Sequence, residues 1–93
     1  MVIGVLQAKI SIPASQSLKD KRSVIKGIKD RILNKMNVSV AEVENQDVWK
    51  TAGLAFATIA ATKDVVEKRL TEVSEFLRSD PRYVLVDYMV EIL

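Results

Sequence analysis

The 93-residue sequence contains no cysteine and no histidine. Without cysteine, the chain can form no disulfide, no thiolate nucleophile and no zinc–thiolate site. Without histidine, it lacks the usual general base near neutral pH and the commonest metal ligand in proteins. We therefore expect a protein that is not an enzyme and that holds neither a cofactor nor a metal ion.

Long apolar runs and glycine-rich stretches are also missing. No run approaches the roughly 18–20 apolar residues that span a bilayer, and the opening residues lack the basic region of a signal peptide. The three glycines, Gly4, Gly27 and Gly53, stand apart, so no phosphate-cradling loop is visible. These absences predict a cytoplasmic protein with no membrane segment, and the length predicts one domain over residues 1–93.

The stretch from Ser17 to Met36 has the pattern of one amphipathic helix. Ser17 is a typical N-cap, and Asp20, three residues later, completes a pattern close to a capping box. The apolar residues recur at helical spacing and predict the buried face, which consists of Leu18, Ile25, Ile28, Ile32 and Met36.

A basic stripe runs beside that apolar face, about a quarter turn away. It consists of Lys19, Arg22, Lys26 and Lys29. The net charge is only +2, so the positive charge is concentrated on this helix. A solvated helix face explains such a stripe, and so does a surface that contacts phosphates.

The rest of the chain alternates between strand and helix patterns. Strands are predicted over Val2–Ile12, Val38–Glu44, Ala52–Ala61 and Tyr83–Leu93, with a second helix from Lys63 to the turn at Ser79–Pro81. The order strand, helix, strand, strand, helix, strand predicts a ferredoxin-like α+β sandwich, in which a four-stranded antiparallel sheet carries both helices on one face.

The loop between Glu44 and Thr51 holds the only tryptophan. Trp49 either folds onto the edge of the sheet or offers a platform for base stacking beside Lys50. Glu42 and Glu44 are expected on one face of the preceding strand, but two carboxylates are too few for a hard cation.

Three stretches, SLKDKR at residues 17–22, NVSVAEV at 37–43 and QDVWK at 46–50, together resemble the YlxP-like family of small bacterial proteins of unknown function. The resemblance implies a ferredoxin-like fold and a connection with RNA or the ribosome, and it brings no catalytic residues. It also implies a histidine where this chain has Asn45.

Two hypotheses of different classes follow. The first is a non-enzymatic protein that associates with RNA or the ribosome through the basic stripe, with Lys21, Trp49 and Lys50 as further contacts. The second is a dimeric ligand-binding or regulatory module resembling ACT-type domains, which rests on fold analogy alone.

Strand alternation also predicts an apolar patch on the open face of the sheet. It would contain Ile3 and Val5 of the first strand and Leu85 and Met89 of the last. Since monomers seldom expose large apolar patches, we expect a homodimer through this face.

Overall fold

The computed structural model describes all 93 residues, and each predicted element lies within one residue of its expected bounds. The elements are β1 Val2–Ser11, α1 Leu18–Lys35, β2 Ser39–Glu44, β3 Thr51–Ala60, α2 Lys63–Arg78 and β4 Val84–Ile92. The strands pair antiparallel in the order β2-β3-β1-β4. This topology confirms the ferredoxin-like prediction. No helix combines the length and the apolarity that crossing a membrane requires.

The core lies between the sheet and the two helices. In the register of the two central strands, Leu6 faces Phe56 and Ala8 faces Leu54, so alternate residues of β1 and β3 point at the helices. The helices supply the other half of the core through Ile25, Ile28, Ile32, Val66, Leu70, Val73 and Leu77, all buried. The opposite face of the sheet is covered by no element of the chain.

The N-terminus of α1 is capped much as its sequence predicts. The Ser17 hydroxyl accepts a hydrogen bond from the Asp20 N–H at 3.1 Å. The Asp20 carboxylate accepts from the N–H of Gln16 at 2.9 Å, one residue before the expected donor. Thr62 occupies the N-cap of α2, but its side chain makes no capping hydrogen bond. Capping therefore anchors α1 more firmly than α2.

A β-bulge in β4 reverses the predicted orientation of its first half. The register along β1 shifts between Lys9 and Ile10, so that Ile10 pairs with Leu85 and Lys9 with Asp87. Because the extra residue shifts the alternation by one position on the N-terminal side of the bulge, Leu85 packs against the core instead of lying on the open face. The predicted patch is therefore wrong at Leu85, and Tyr83, two residues earlier and so on the same face by simple alternation, is buried as well.

The buried carboxylate of Asp80 joins α1 to the start of β4. Arg82 donates to it at 2.7 Å and Arg31 of α1 donates at 3.0 Å. These hydrogen bonds, those from Arg82 above all, hold the pKa of Asp80 well below its usual range. The neighbouring Tyr83 hydroxyl is buried without a hydrogen-bond partner, and burial raises its pKa to about 12.

The substitution Asp80→Asn should lower the free energy of unfolding by about 2 kcal/mol at neutral pH, because both arginines lose a charged acceptor. The pKa is lower in the folded state, so the stabilisation is complete above about pH 4, the unfolded value, and is lost as pH falls further. Thermal melts of the variant and the parent protein from about pH 7 to pH 3 should show their difference in Tm shrinking below about pH 4. A difference independent of pH would contradict this assignment.

Candidate functional site

The side chain of Lys21, in the first turns of α1, is completely buried. Its ammonium group donates to the backbone carbonyl oxygens of Asn45, Val48 and Thr51 at 2.5, 2.6 and 3.1 Å. A carboxylate oxygen of Glu42 lies 2.8 Å from the same nitrogen. Four oxygens from β2, β3 and the loop between them thus surround one charged nitrogen.

An ammonium group has three N–H donors, and the three carbonyls use all of them. The contact with Glu42 is therefore an ion pair with no hydrogen bond, which agrees with the absence of any donor to its buried Oε2 atom. Burying the lysine is tolerable because its charge has a counter-charge and its donors are satisfied. Lys21 thereby fastens the loop after β2 to the N-terminal turns of α1.

The β2–β3 loop, residues 45–50, has a defined shape. Asn45 adopts a left-handed conformation, with φ of 59°, which asparagine tolerates better than most residues. Its carbonyl also accepts from the Val48 N–H at 3.0 Å. Lys50 ties the loop to the end of β1, since its ammonium donates to the Pro13 carbonyl at 3.1 Å.

Within this tethered loop the Trp49 side chain remains open. About half of its surface, 51%, is exposed. A shallow hollow at the loop is lined by Asp47, Val48, Trp49 and Lys50. The side chains of Trp49 and Lys50 are therefore exposed to solvent, while the hydrogen bonds from Lys21 hold the backbone of their loop in place.

The basic stripe lies on the flank of α1 away from α2. The opposite flank faces α2 and β4, because Lys35 lies over the Phe76 ring at 5.8 Å and Arg31 reaches Asp80. Positions 19, 22, 26 and 29 are rotated from that flank by roughly a third to a half turn, at about 100° per residue. Lys19, Arg22 and Lys26 are exposed, and Lys29 is half-buried.

Lys26 is the stripe residue with an ion-pair partner. Its ammonium donates to the Asp30 carboxylate one turn later at 2.8 Å, and this hydrogen bond raises the pKa of Lys26. Both groups are exposed, so the pair adds little stability. Lys19 and Arg22 form no salt bridge within the chain and are the freest cations of the stripe.

Lys21 requires a correction, because its buried ammonium cannot reach a phosphate in solution. A signal for this position is present in the sequence: Lys21, Ile25, Ile28 and Ile32 are spaced by four, three and four residues, on one buried helix face. A lysine on a buried helix face indicates that its ammonium group has a buried hydrogen-bond or ion-pair partner.

The two glutamates of β2 do not share a face, contrary to expectation. A second bulge lies between them, and Glu42 pairs with Leu54 whereas Glu44 pairs with Gly53. Since neighbouring residues of β3 point to opposite faces, Glu42 points toward Lys21 and Glu44 toward the open face. No group of three or more acidic side chains is arranged to hold a metal ion.

The strand order and the single helix layer place the chain among ferredoxin-like α+β proteins. The designed protein Foldit4 shares this fold at a TM-score of 0.52 and 15% identity, over 98% of this chain and 96% of that one. The sequence profile of DUF503, a family described as "Protein of unknown function", matches residues 3–90, and the chain belongs to this family. The "Uncharacterized protein YlxP" of Bacillus subtilis (strain 168) is 36% identical over 80 residues, 86% of this chain and 87% of that protein. The YlxP-like resemblance is thereby confirmed.

Proposed function

We propose that the protein is a non-catalytic RNA-binding protein, associated with structured RNA such as that of the ribosome. The binding surface consists of the exposed cations Lys19, Arg22 and Lys26 of α1 together with Trp49 and Lys50 of the β2–β3 loop. In this proposal the cations contact phosphates, and the Trp49 ring stacks on an unpaired base.

The observation that carries this proposal is the contact of Lys21 with the β2–β3 loop. It ties two stretches that are distant in sequence, SLKDKR and QDVWK, to each other, which supports a binding surface built from both. Lys19 and Arg22 are close in sequence to the tethering residue and exposed, so the fastened loop and the N-terminal end of the stripe belong to the same end of α1. A fixed arrangement of cations and an aromatic ring reduces the entropy lost when RNA binds.

A catalytic role for the buried lysine is not favoured by its surroundings. Reactive lysines need an approach path for the substrate and a nitrogen free to react. Lys21 has neither, because its side chain is 1% exposed and all of its donors are engaged by carbonyl oxygens. Its contacts account for its burial as a structural tether.

The ligand-binding alternative has less support. The groove at the centre of the open sheet face, lined by Gln7, Lys9, Glu44 and Asp87 among others, has a volume of about 140 Å³. Sites for small molecules commonly enclose about 300–1,000 Å³. The hollow at the β2–β3 loop reaches about 390 Å³, but it is shallow and lined by four residues only. A metabolite would therefore be held mostly in solvent at either place.

Titration against ribosomal subunits and a structured RNA at two salt concentrations tests the proposal. With about three phosphate contacts, the association constant should fall roughly 20- to 40-fold when salt rises fourfold. Failure to bind any RNA would overturn the proposal. A thermal-shift screen with amino acids and nucleotides serves as the counter-test, since a saturable response independent of salt would favour the ligand-binding alternative.

A further inference from the structure

The edge strand β4 carries an unusual share of the exposed apolar surface. Of the 13 large apolar side chains that are exposed in the whole chain, six lie between Val84 and Leu93. They are Val84, Val86, Tyr88, Met89, Val90 and Leu93. β4 is also the outermost strand on its side of the sheet, so its outward backbone N–H and C=O groups have no partner strand.

β4 carries few of the devices that keep edge strands from pairing. Such edges usually carry lysine, proline or a bulge, or they are short. β4 has nine residues, none of them basic and none proline, and its bulge lies near the start. In the regular stretch Asp87–Ile92, the Tyr88 N–H donates to the Asp87 carboxylate at 2.9 Å, a local hydrogen bond that pairing would replace. The other edge, β2, has only six residues and a bulge near its end. Of the two edge strands, β4 is therefore the more available for pairing with another strand.

We propose that β4 pairs antiparallel with β4 of a second copy of this chain, around a two-fold axis at Val90. The product is a continuous eight-stranded sheet with all four helices on one face. This inference is independent of the proposed function, because β4 lies at the opposite edge of the sheet from the β2–β3 loop.

The charges on β4 select the register of this pairing. Directly opposed side chains must lie on the same face, so the two residue numbers of each pair add up to an even number. Centring on Met89 would set Asp87 against the partner's Glu91, and centring on Glu91 would oppose two Glu91 carboxylates. Centring on Tyr88 would bring the bulge into the ladder. Opposed like charges destabilise a strand pair.

The Val90 register avoids these conflicts. Tyr88 then faces the partner's Ile92 on the helix side, and Met89 faces the partner's Glu91 on the open side. A groove of about 290 Å³ between α2 and β4 borders this seam, with Leu70, Tyr88 and Val90 as its apolar lining beside polar and charged residues of α2. Pairing thereby covers apolar surface that the chain's own helices leave exposed.

The open-face dimer expected from the sequence competes with this arrangement. Ile3 and Val5 are half-buried, so the centre of the open face offers less apolar surface than the β4 edge. Met89 lies both on the open face and on the β4 edge, so a substitution there does not distinguish the two dimers. Ile59, which is 52% exposed on the open face beside Ile3, does discriminate.

Sedimentation equilibrium from about 1 to 200 μM should show a monomer–dimer equilibrium, the range expected for a small interface. Val90→Lys should weaken the dimer at least tenfold, because two ammonium groups would face each other across the axis. Two matched controls, Ile59→Lys on the open face and Ala41→Lys on β2, should leave the dimer unchanged. A monomer at every concentration would overturn the proposal, as would a dimer that Ile59→Lys dissociates and Val90→Lys does not.

Cross-linking provides a second readout that does not need a charged substitution. Because the chain has no cysteine, a single introduced thiol reports one position alone. Opposed residues in antiparallel strands have Cα atoms about 4.5–5.5 Å apart, within the range of a disulfide. Val90→Cys should therefore form a disulfide-linked dimer under mild oxidation much faster than Ala41→Cys or Ile59→Cys. Equal rates for the three variants would contradict the pairing.

Discussion

Replacing Lys21 with methionine should lower the free energy of unfolding by about 3–5 kcal/mol, the typical cost of removing one member of a buried ion pair. Methionine fills a similar volume but offers no donor to the three carbonyl oxygens, and it leaves the buried Glu42 oxygen without its counter-charge. For a domain of this size, such a loss corresponds to a fall in Tm of roughly 15 °C or more. Chemical or thermal denaturation measures it directly.

Lys19→Met is the matched control, since it removes an exposed lysine two positions earlier and should change stability by less than about 0.5 kcal/mol. A double variant adds a further check. The double variant Lys21→Met/Glu42→Gln should lose less free energy of unfolding than the sum of the two single losses. The reason is that Glu42→Gln removes the carboxylate charge that Lys21→Met leaves without a partner. Equal stability of Lys21→Met and Lys19→Met would show that the tether contributes nothing.

Reversing the charges of Lys19 and Arg22 should lower RNA affinity about 100-fold at moderate salt, because two phosphate contacts are lost and two repulsions appear. The fold should survive, since both positions are exposed and glutamate is favourable in the first turns of a helix. The double variant Lys19→Glu/Arg22→Glu is compared with the parent protein by titration with the same RNA.

The matched control is Lys63→Glu/Lys68→Glu on α2. Both lysines are exposed, and one of them begins its helix. Each double variant changes the net charge by four units, from +2 to −2, so a purely global charge effect would weaken both equally. We expect the control to lose less than about threefold in affinity. Equal losses would remove the basis for placing the binding surface on α1.

The topology was predictable because its signals are local. The caps, the helical spacing of the isoleucines in α1 and the alternation in β1 each act within a few residues, and they agree with one another. The orientation of the first half of β4 was not predictable in this way. Its apolar residues occupy both faces, and the bulge opposite Lys9 and Ile10 depends on pairing with a strand more than 70 residues earlier in the chain.

The site was only partly predictable for a related reason. Lys21 was grouped with the exposed cations by its charge, although its spacing with Ile25 and Ile28 places it on the buried face. Its hydrogen-bond partners are backbone carbonyls 24–30 residues later in the chain. Every residue has such a carbonyl, so the amino-acid sequence does not reveal which ones accept. Lys19 and Arg22 were recognisable because exposure on a helix follows directly from periodicity.

Fluorescence of Trp49 during titration with a structured RNA tests the central claim most directly, because this side chain is the only tryptophan and lies half exposed in the tethered loop. Stacking on a base should quench its emission saturably, with a midpoint equal to the dissociation constant measured by an independent method such as filter binding. The midpoint of the quenching should rise about 100-fold in Lys19→Glu/Arg22→Glu and less than about threefold in Lys63→Glu/Lys68→Glu. RNA binding with no change in Trp49 emission would place the contact elsewhere on the protein and contradict the proposed surface.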